Sequence, residues 1–297
     1  MPKLREICIA LVLLVENASA AAAPDVLATI KPVHSLAAAV MQGVGQPDLL
    51  IGGAASPHSY ALKPSDALKI ERAALIVEIG PDLESYLAAP LATLGSHARI
   101  LVLERAPGVR LLPARRGGLW QDEGAGGPAD PHSWLDPENA IAMTKVIAAA
   151  LVALDPAHAA AYRANEARET AALAALEQEL AAQLAPLHGR PYLVFHDAYR
   201  YFEARYDLTP AGAVTVGPDR PVGPRRIEEL RAAIAREHIS CLFLEADFPP
   251  KLVDTLSEGN TLRTGELDEV GARLAPGPVL YPALLRGLAH ALRQCLR

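Results

Sequence analysis

The stretch DPAHAAAYRANEARETAALAALEQELAAQLAPL, residues 155–187, decides how this chain is organised. Asp155-Pro156 reads as a helix N-cap followed by proline in the first turn, where its missing N–H costs nothing. The residues that follow are rich in Ala, Glu, Gln, Arg and Leu, with no glycine and no proline before Pro186. Leu173, Leu176, Leu180, Leu184 and Leu187 recur at three- and four-residue intervals, laying one apolar stripe along a helix. Such a helix is roughly 45 Å long, about a domain across. His188-Gly189 ends it. Blocks of comparable length flank it, each with short apolar strands, turns and helices. The helix is therefore expected to be a rigid spacer fixing two lobes. The competing reading is a core helix within one domain. The spacer reading divides the chain into a leader (1–23), a first lobe (24–154), the linking helix (155–187) and a second lobe (188–297).

Residues on both sides fit an α/β fold. Segments 26–30, 49–51, 75–79 and 100–103 read as short buried strands separated by helices, the signature of βα units with a parallel sheet. Beyond the long helix the design repeats, with strands expected at 192–195, 213–216, 241–244 and 264–267. Residues 109–130, with five glycines and two prolines, break the pattern and are expected to form an exposed or mobile loop. Asp136-Pro137 then caps another helix. Aromatic residues make up only 5% of the chain, so alanine-rich helices are expected to form the interiors. The net charge is −6 and no basic run or basic–aromatic patch occurs, so nucleic acid is not an expected partner.

The N-terminus carries an address. Lys3 and Arg5 precede an apolar run over 7–15, and Ala18-Ser19-Ala20 is a small-x-small cleavage pattern. That is a secretory signal peptide, too short to anchor in a bilayer. The mature chain is expected to begin near Pro24, exported and soluble, without a membrane span. Cys8 lies inside the apolar run, so export leaves Cys241 and Cys295. An even count in an oxidising compartment suggests one disulfide between the strand at 241–244 and the last helix. Two separate buried thiols are the alternative.

The chain has nine histidines, and their place in the pattern matters more than their number. In open parallel sheets, ligands bind outside the carboxyl ends of the strands. His58, His132 and His196 all fall in such loops or directly after a strand, and Asp268 stands at the same kind of position. His58 and His132 belong to the first lobe, His196 and Asp268 to the second, a clamp that a cation would complete. Three imidazoles with a carboxylate suit Zn²⁺. Taken alone, however, histidines this widely spaced are a weak signal, since a histidine in a loop is usually a plain polar residue.

At these same residues the sequence resembles the metal-specific solute-binding proteins of bacterial ABC importers, in particular their periplasmic zinc-binding branch. The matching phrases are GAASPHSYALKPSD at 53–66, DPHSWLDP at 130–137, FHDAY at 195–199 with Tyr201-Phe202, and residues 217–226 leading into a helix. The resemblance runs from about Val26 to the C-terminus. It implies two (β/α) lobes, each with a parallel sheet, joined by a rigid helix, and a monomer that holds Zn²⁺ between the lobes and delivers it to a membrane permease in the periplasm. It carries over His58, His132 and His196 as metal ligands, and Asp268 as a carboxylate that ligates in some relatives where others use water. Manganese-preferring relatives commonly place a carboxylate at the third position, so His196 favours zinc. Cys241 and Cys295 match a disulfide of the zinc branch. Two departures stand out: residues 109–130 lack the His-rich tract common there, leaving only Asp122, Glu123 and Asp130 to attract cations, and Ser59 replaces an acid common after the first histidine.

Two rival functions follow from the same residues. A manganese receptor would keep the fold. A secreted zinc hydrolase would use three His and a water, with Glu245 as general base, although no His-Glu-x-x-His helix is present.

Overall fold

Short apolar runs form the inner strands of each sheet, while polar residues enter those at the edges. The computed structural model describes residues 22–53, 55–120, 129–215, 222–245, 250–258 and 262–297. The first lobe contains β1 (Val26–Ala28), α1 (Lys31–Val40), β2 (Asp48–Leu49), α2 (Pro64–Arg72), β3 (Leu75–Glu78), α3 (Ala88–Thr93), β4 (Arg99–Val102) and α4 (Pro137–Leu154). Next comes α5 (Ala159–Leu184), extended at both ends by the 3-10 turns Pro156–His158 and Ala185–Leu187. The second lobe contains β5 (Tyr192–Val194), α6 (Arg200–Arg205), β6 (Pro210–Ala213), α7 (Pro224–Arg236), β7 (Cys241–Leu244), α8 (Pro250–Ser257), β8 (Arg263–Glu266) and α9 (Leu280–Cys295).

Each lobe has one four-stranded, wholly parallel sheet, with orders β2-β1-β3-β4 and β6-β5-β7-β8. The orders are the same pattern used twice. The helix between them joins the lobes as expected. All five leucines of its stripe are buried, and α5 packs on α1 and α4 of the first lobe and α9 of the second. Truncating any one of them to alanine should cost about 2–5 kcal/mol. The cap differs in kind from the expectation: the Asp155 carboxylate accepts from His158 Nδ1 (2.7 Å) and Tyr162 Oη (2.8 Å), tying side chains together instead of capping backbone amides. At α4 the expected cap does form, Asp136 Oδ1 accepting the Glu138 amide at 3.0 Å. α4 is apolar and long enough to span a membrane by composition, but half of it is buried within the protein.

One apolar cluster runs without a break from β1 and β3 through α4 and α5 to β5, β7 and α9. The lobes therefore share a core. A smaller cluster fills the other face of the second sheet under α7 and α8. Cys241 and Cys295 form a disulfide with their Cα atoms 5.9 Å apart, fastening α9 to β7.

One expectation is corrected, and one is narrowed to its exposed alternative. β6 is formed by Pro210–Ala213, three residues earlier than its apolar pattern indicates. It is an edge strand, where proline is tolerated and the pairing with β5 sets the limits. The described part of the glycine-rich loop, residues 109–120, is held in place across the lobes. Leu112 donates its amide to Tyr201 Oη, Arg115 pairs with Asp197 (2.8 Å) and Glu203 (2.7 Å), and Arg226 donates to the Leu119 carbonyl. Leu119 lies so close over Gly212 that a Cβ there would fall 2.2 Å from its side chain. Composition shows the loop's lack of regular structure but not these anchors. The leader over 1–21, along with Asp122 and Glu123, lies outside the described residues.

Candidate metal centre

His58 follows β2 on a turn shaped by Ser56, whose Oγ accepts the His58 amide at 3.2 Å. His132 precedes the turn that leads into α4. His196 stands two residues beyond the end of β5. One donor atom from each of these three histidines lies within 4.8 Å of the others. The ring centroids are 5.1, 5.7 and 5.4 Å apart, and the Nε2 atoms of His58 and His132 approach to 3.1 Å. Ligand atoms on a tetrahedral ion at ~2.0–2.1 Å are ~3.4 Å from one another, so this cluster needs little adjustment to close around one. His132 and His196 are buried; His58 is partly exposed.

Two of the imidazoles are braced from behind. Asp130 Oδ1 accepts the His132 backbone amide (2.9 Å) and lies 3.0 Å from His132 Nδ1. Glu245 Oε1 lies 2.5 Å from His196 Nδ1. With the proton on Nδ1 shared with a carboxylate, each ring in its neutral form turns an Nε2 lone pair toward the cluster. The His196 Nε2 is buried with no hydrogen-bond partner, which is costly for a polar atom unless a ligand completes it. The donor set fits a borderline ion held by nitrogen.

The electrostatics of the two braced rings oppose each other. Burial holds the His132 imidazole well below the usual histidine range, and the nearby His196 charge lowers it further. Burial acts in the same direction on His196, but the charge and hydrogen bond of Glu245, joined by Glu269 and Asp197, outweigh it and push that ring up to about 9. Glu269 is raised to about 7 by burial and by the Glu245 charge. Asp130 is also pushed up to about 7, by burial, against its bond from the His132 amide.

Of the four residues expected at the site, His58, His132 and His196 come together. Asp268 is outside that group: its Oδ1 accepts the amides of Val270 (3.2 Å) and Gly271 (2.7 Å) at the start of the turn after β8. Sequence reasoning overlooked the braces. The Asp-x-His spacing of Asp130 and His132 could have shown one. The other follows from register: β5 and β7 pair Val194 with Phe243, and two residues further along, His196 falls beside Glu245. Glu245, cast above as the base of a hydrolase, is instead engaged with His196.

Two similar sheets facing each other across a rigid helix, with a three-imidazole cluster between them, define a two-lobed metal-binding protein. The chain belongs to a particular family of that class: residues 26–295 match the model of the family described as zinc-uptake complex component A, periplasmic. It is 40% identical over 304 residues to the high-affinity zinc uptake system protein ZnuA of Brucella abortus, covering 91% of each chain. The protein of the same name from Paracoccus denitrificans is 36% identical over 299 residues, covering 92% of each. A crystal structure of ZnuA superposes with a TM-score of 0.80 at 24% identity, covering 93% of this chain and 100% of that one. The periplasmic zinc-binding protein TroA of Treponema pallidum gives 0.79 at 22%, covering 92% and 99%. The α/β two-lobe architecture expected from the sequence is the one these structures share.

Proposed function

We propose that this protein is a periplasmic receptor that binds Zn²⁺ through the Nε2 atoms of His58, His132 and His196 and delivers it to the permease of an ABC importer. The observation that carries the reading is the convergence of three imidazoles with two of them braced by Asp130 and Glu245. A neutral nitrogen set braced by carboxylates suits zinc, a borderline ion, better than manganese, which prefers oxygen. The family membership and the zinc uptake proteins of Brucella and Paracoccus support the same assignment. Asp268 remains the candidate fourth ligand. The Val270 and Gly271 amides occupy its Oδ1, which leaves Oδ2 as the oxygen to meet the metal; otherwise water completes the coordination. The protein is proposed to act as a monomer, exported by a cleaved leader, and to catalyse nothing.

Small motions suffice for loading and release, because the lobes share a core and a continuous helix. The test is competitive calorimetry on metal-stripped mature protein with Zn²⁺ and Mn²⁺ near neutral pH. One tight Zn²⁺ site with weak Mn²⁺ binding is expected. Preference for Mn²⁺ would transfer the protein to the manganese reading, and tight binding of neither would overturn the receptor. The same titration on Asp268→Asn separates the carboxylate from water: a loss of affinity identifies the carboxylate.

A further inference from the structure

The turn after β8 is gripped from two directions, and only one grip comes from its own lobe. Asp268 Oδ1 accepts the amides of Val270 and Gly271. From the other lobe, Lys31 at the start of α1 reaches across and donates to the carbonyls of Gly271 (3.0 Å), Ala272 (2.6 Å) and Leu274 (3.1 Å). Lys31 is buried at 5% exposure. All three protons of its ammonium are used, and every acceptor is a main-chain carbonyl. What the side chain engages is thus the path of the turn. A buried ammonium is expensive to keep, so a mere filler at this position would more readily be Leu or Met. A second tie crosses the lobes at the same turn: the indole of Trp134, two residues past His132, donates to the Glu269 carbonyl at 2.8 Å.

These ties bear on the metal centre because the turn begins with Asp268 and Glu269. Both amides fall on Oδ1 of Asp268, so it can ligate an ion through Oδ2 with the turn intact, or through Oδ1 by letting the amides go. If it lets go, the amide end of the turn is released, and Lys31 and Trp134 still hold the carbonyl end against the lobe that carries His58 and His132. We propose that Lys31 is a positioning residue of the metal site: it keeps the 268–274 turn docked across the lobes, and with it the Asp268 carboxylate on the side of the ion, and so slows release of bound zinc. The proposal rests on the receptor reading above, with Asp268 as fourth ligand, and adds to it a residue that touches neither metal nor ligand.

The test uses the mature chain, metal-stripped and reloaded. Zinc dissociation is followed in excess chelator for the wild type and Lys31→Met, and the absorption spectrum of the Co²⁺-loaded forms reports coordination number and ligand type. Lys31→Met is expected to release zinc at least ~10-fold faster, the lower bound for a lost outer partner, and to alter the Co²⁺ bands, while the metal-free protein stays folded. A purely structural lysine would lower the melting temperature and leave the Co²⁺ spectrum as it was. A folded Lys31→Met with wild-type release and spectrum overturns the proposal. If that variant does not fold, Lys31→Gln, which keeps a shorter polar side chain but loses the charge and one of the three N–H donors, decides in its place: faster release supports the docked turn, unchanged release overturns it. Failure of the receptor reading itself is distinguishable, because the wild type would then show no tight zinc to release.

Discussion

The two lobes are built alike and equipped unequally. Each offers the carboxyl ends of a four-stranded parallel sheet in the same order. The first brings two imidazoles, His58 and His132, with one brace, Asp130. The second brings one imidazole, His196, surrounded by carboxylates: Glu245 on its Nδ1, with Glu269 and Asp197 acting on its charge. The first lobe therefore presents, at His132, a nitrogen that is neutral in the absence of metal. The second presents a nitrogen whose proton is stabilised by the acids around it. A duplicated architecture thus divides the work, one side offering lone pairs and the other a local excess of negative charge that favours a dication.

The largest effects should come from removing the nitrogens. His132→Ala and His196→Ala are each expected to lower zinc affinity by more than ~100-fold, beyond the range for lost outer partners. His58→Ala should do the same, since the partly exposed ring is the third donor. Competition against a chelator of known affinity measures all three. If none of the three weakened binding, the cluster would not be the site, and the contrast between the lobes would lose its meaning.

Removing the braces is a smaller perturbation that compares the lobes directly. Near pH 9, Asp130→Asn and Glu245→Gln are each expected to weaken zinc binding about 10–100-fold, because the imidazole keeps its place but loses the partner that fixes its orientation and raises its basicity. Equal losses would mean that the two carboxylates do the same orienting job at that pH. A loss at Asp130 only would leave Glu245 as a charge without an orienting role.

Much of this was legible beforehand, for reasons that differ from residue to residue. The helix stripe was readable because leucine spacing is a local property, and all five of its leucines are buried. The short strands were readable as βα units, since apolar runs between helices have few alternatives. The histidines were readable as a group through their place after strands and through the family phrases around them. Lys31 was not, because its carbonyl partners lie 240 to 243 residues away in sequence and any lysine beside a proline looks like surface. Nor were the anchors of Arg115, whose partners Asp197 and Glu203 belong to the other lobe. Even β6 began earlier than its apolar pattern indicated, because pairing along an edge, starting at Pro210, overrides local hydrophobicity. What the sequence hides here is mostly the contact between lobes, where partners are chosen by topology.

The finest distinction between the lobes is in how zinc binding varies with pH. The folded-state value of His196 is raised from 6.5 to about 9. Its proton therefore stabilises the metal-free fold fully below about 6.5, and that contribution is lost as pH rises through about 9. Zinc needs the neutral ring, so over the same interval its affinity should rise by about tenfold per pH unit, one proton being displaced. His132, lowered by burial and by the His196 charge, contributes no proton at neutral pH. Replacing Glu245 by Gln removes the leading influence that raises His196 and leaves burial to lower it against the smaller pulls of Glu269 and Asp197. The slope between pH 7 and 9 should then flatten. The affinity deficit of Glu245→Gln should accordingly shrink from pH 9 to pH 7, where the wild type must displace a proton and the variant need not, while that of Asp130→Asn should not shrink in this way. Zinc affinities of the three proteins at pH 7, 8 and 9 measure this. Parallel lines for wild type and Glu245→Gln would show that the carboxylates of the second lobe do not hold the proton on His196, and that the lobes differ in donor number alone.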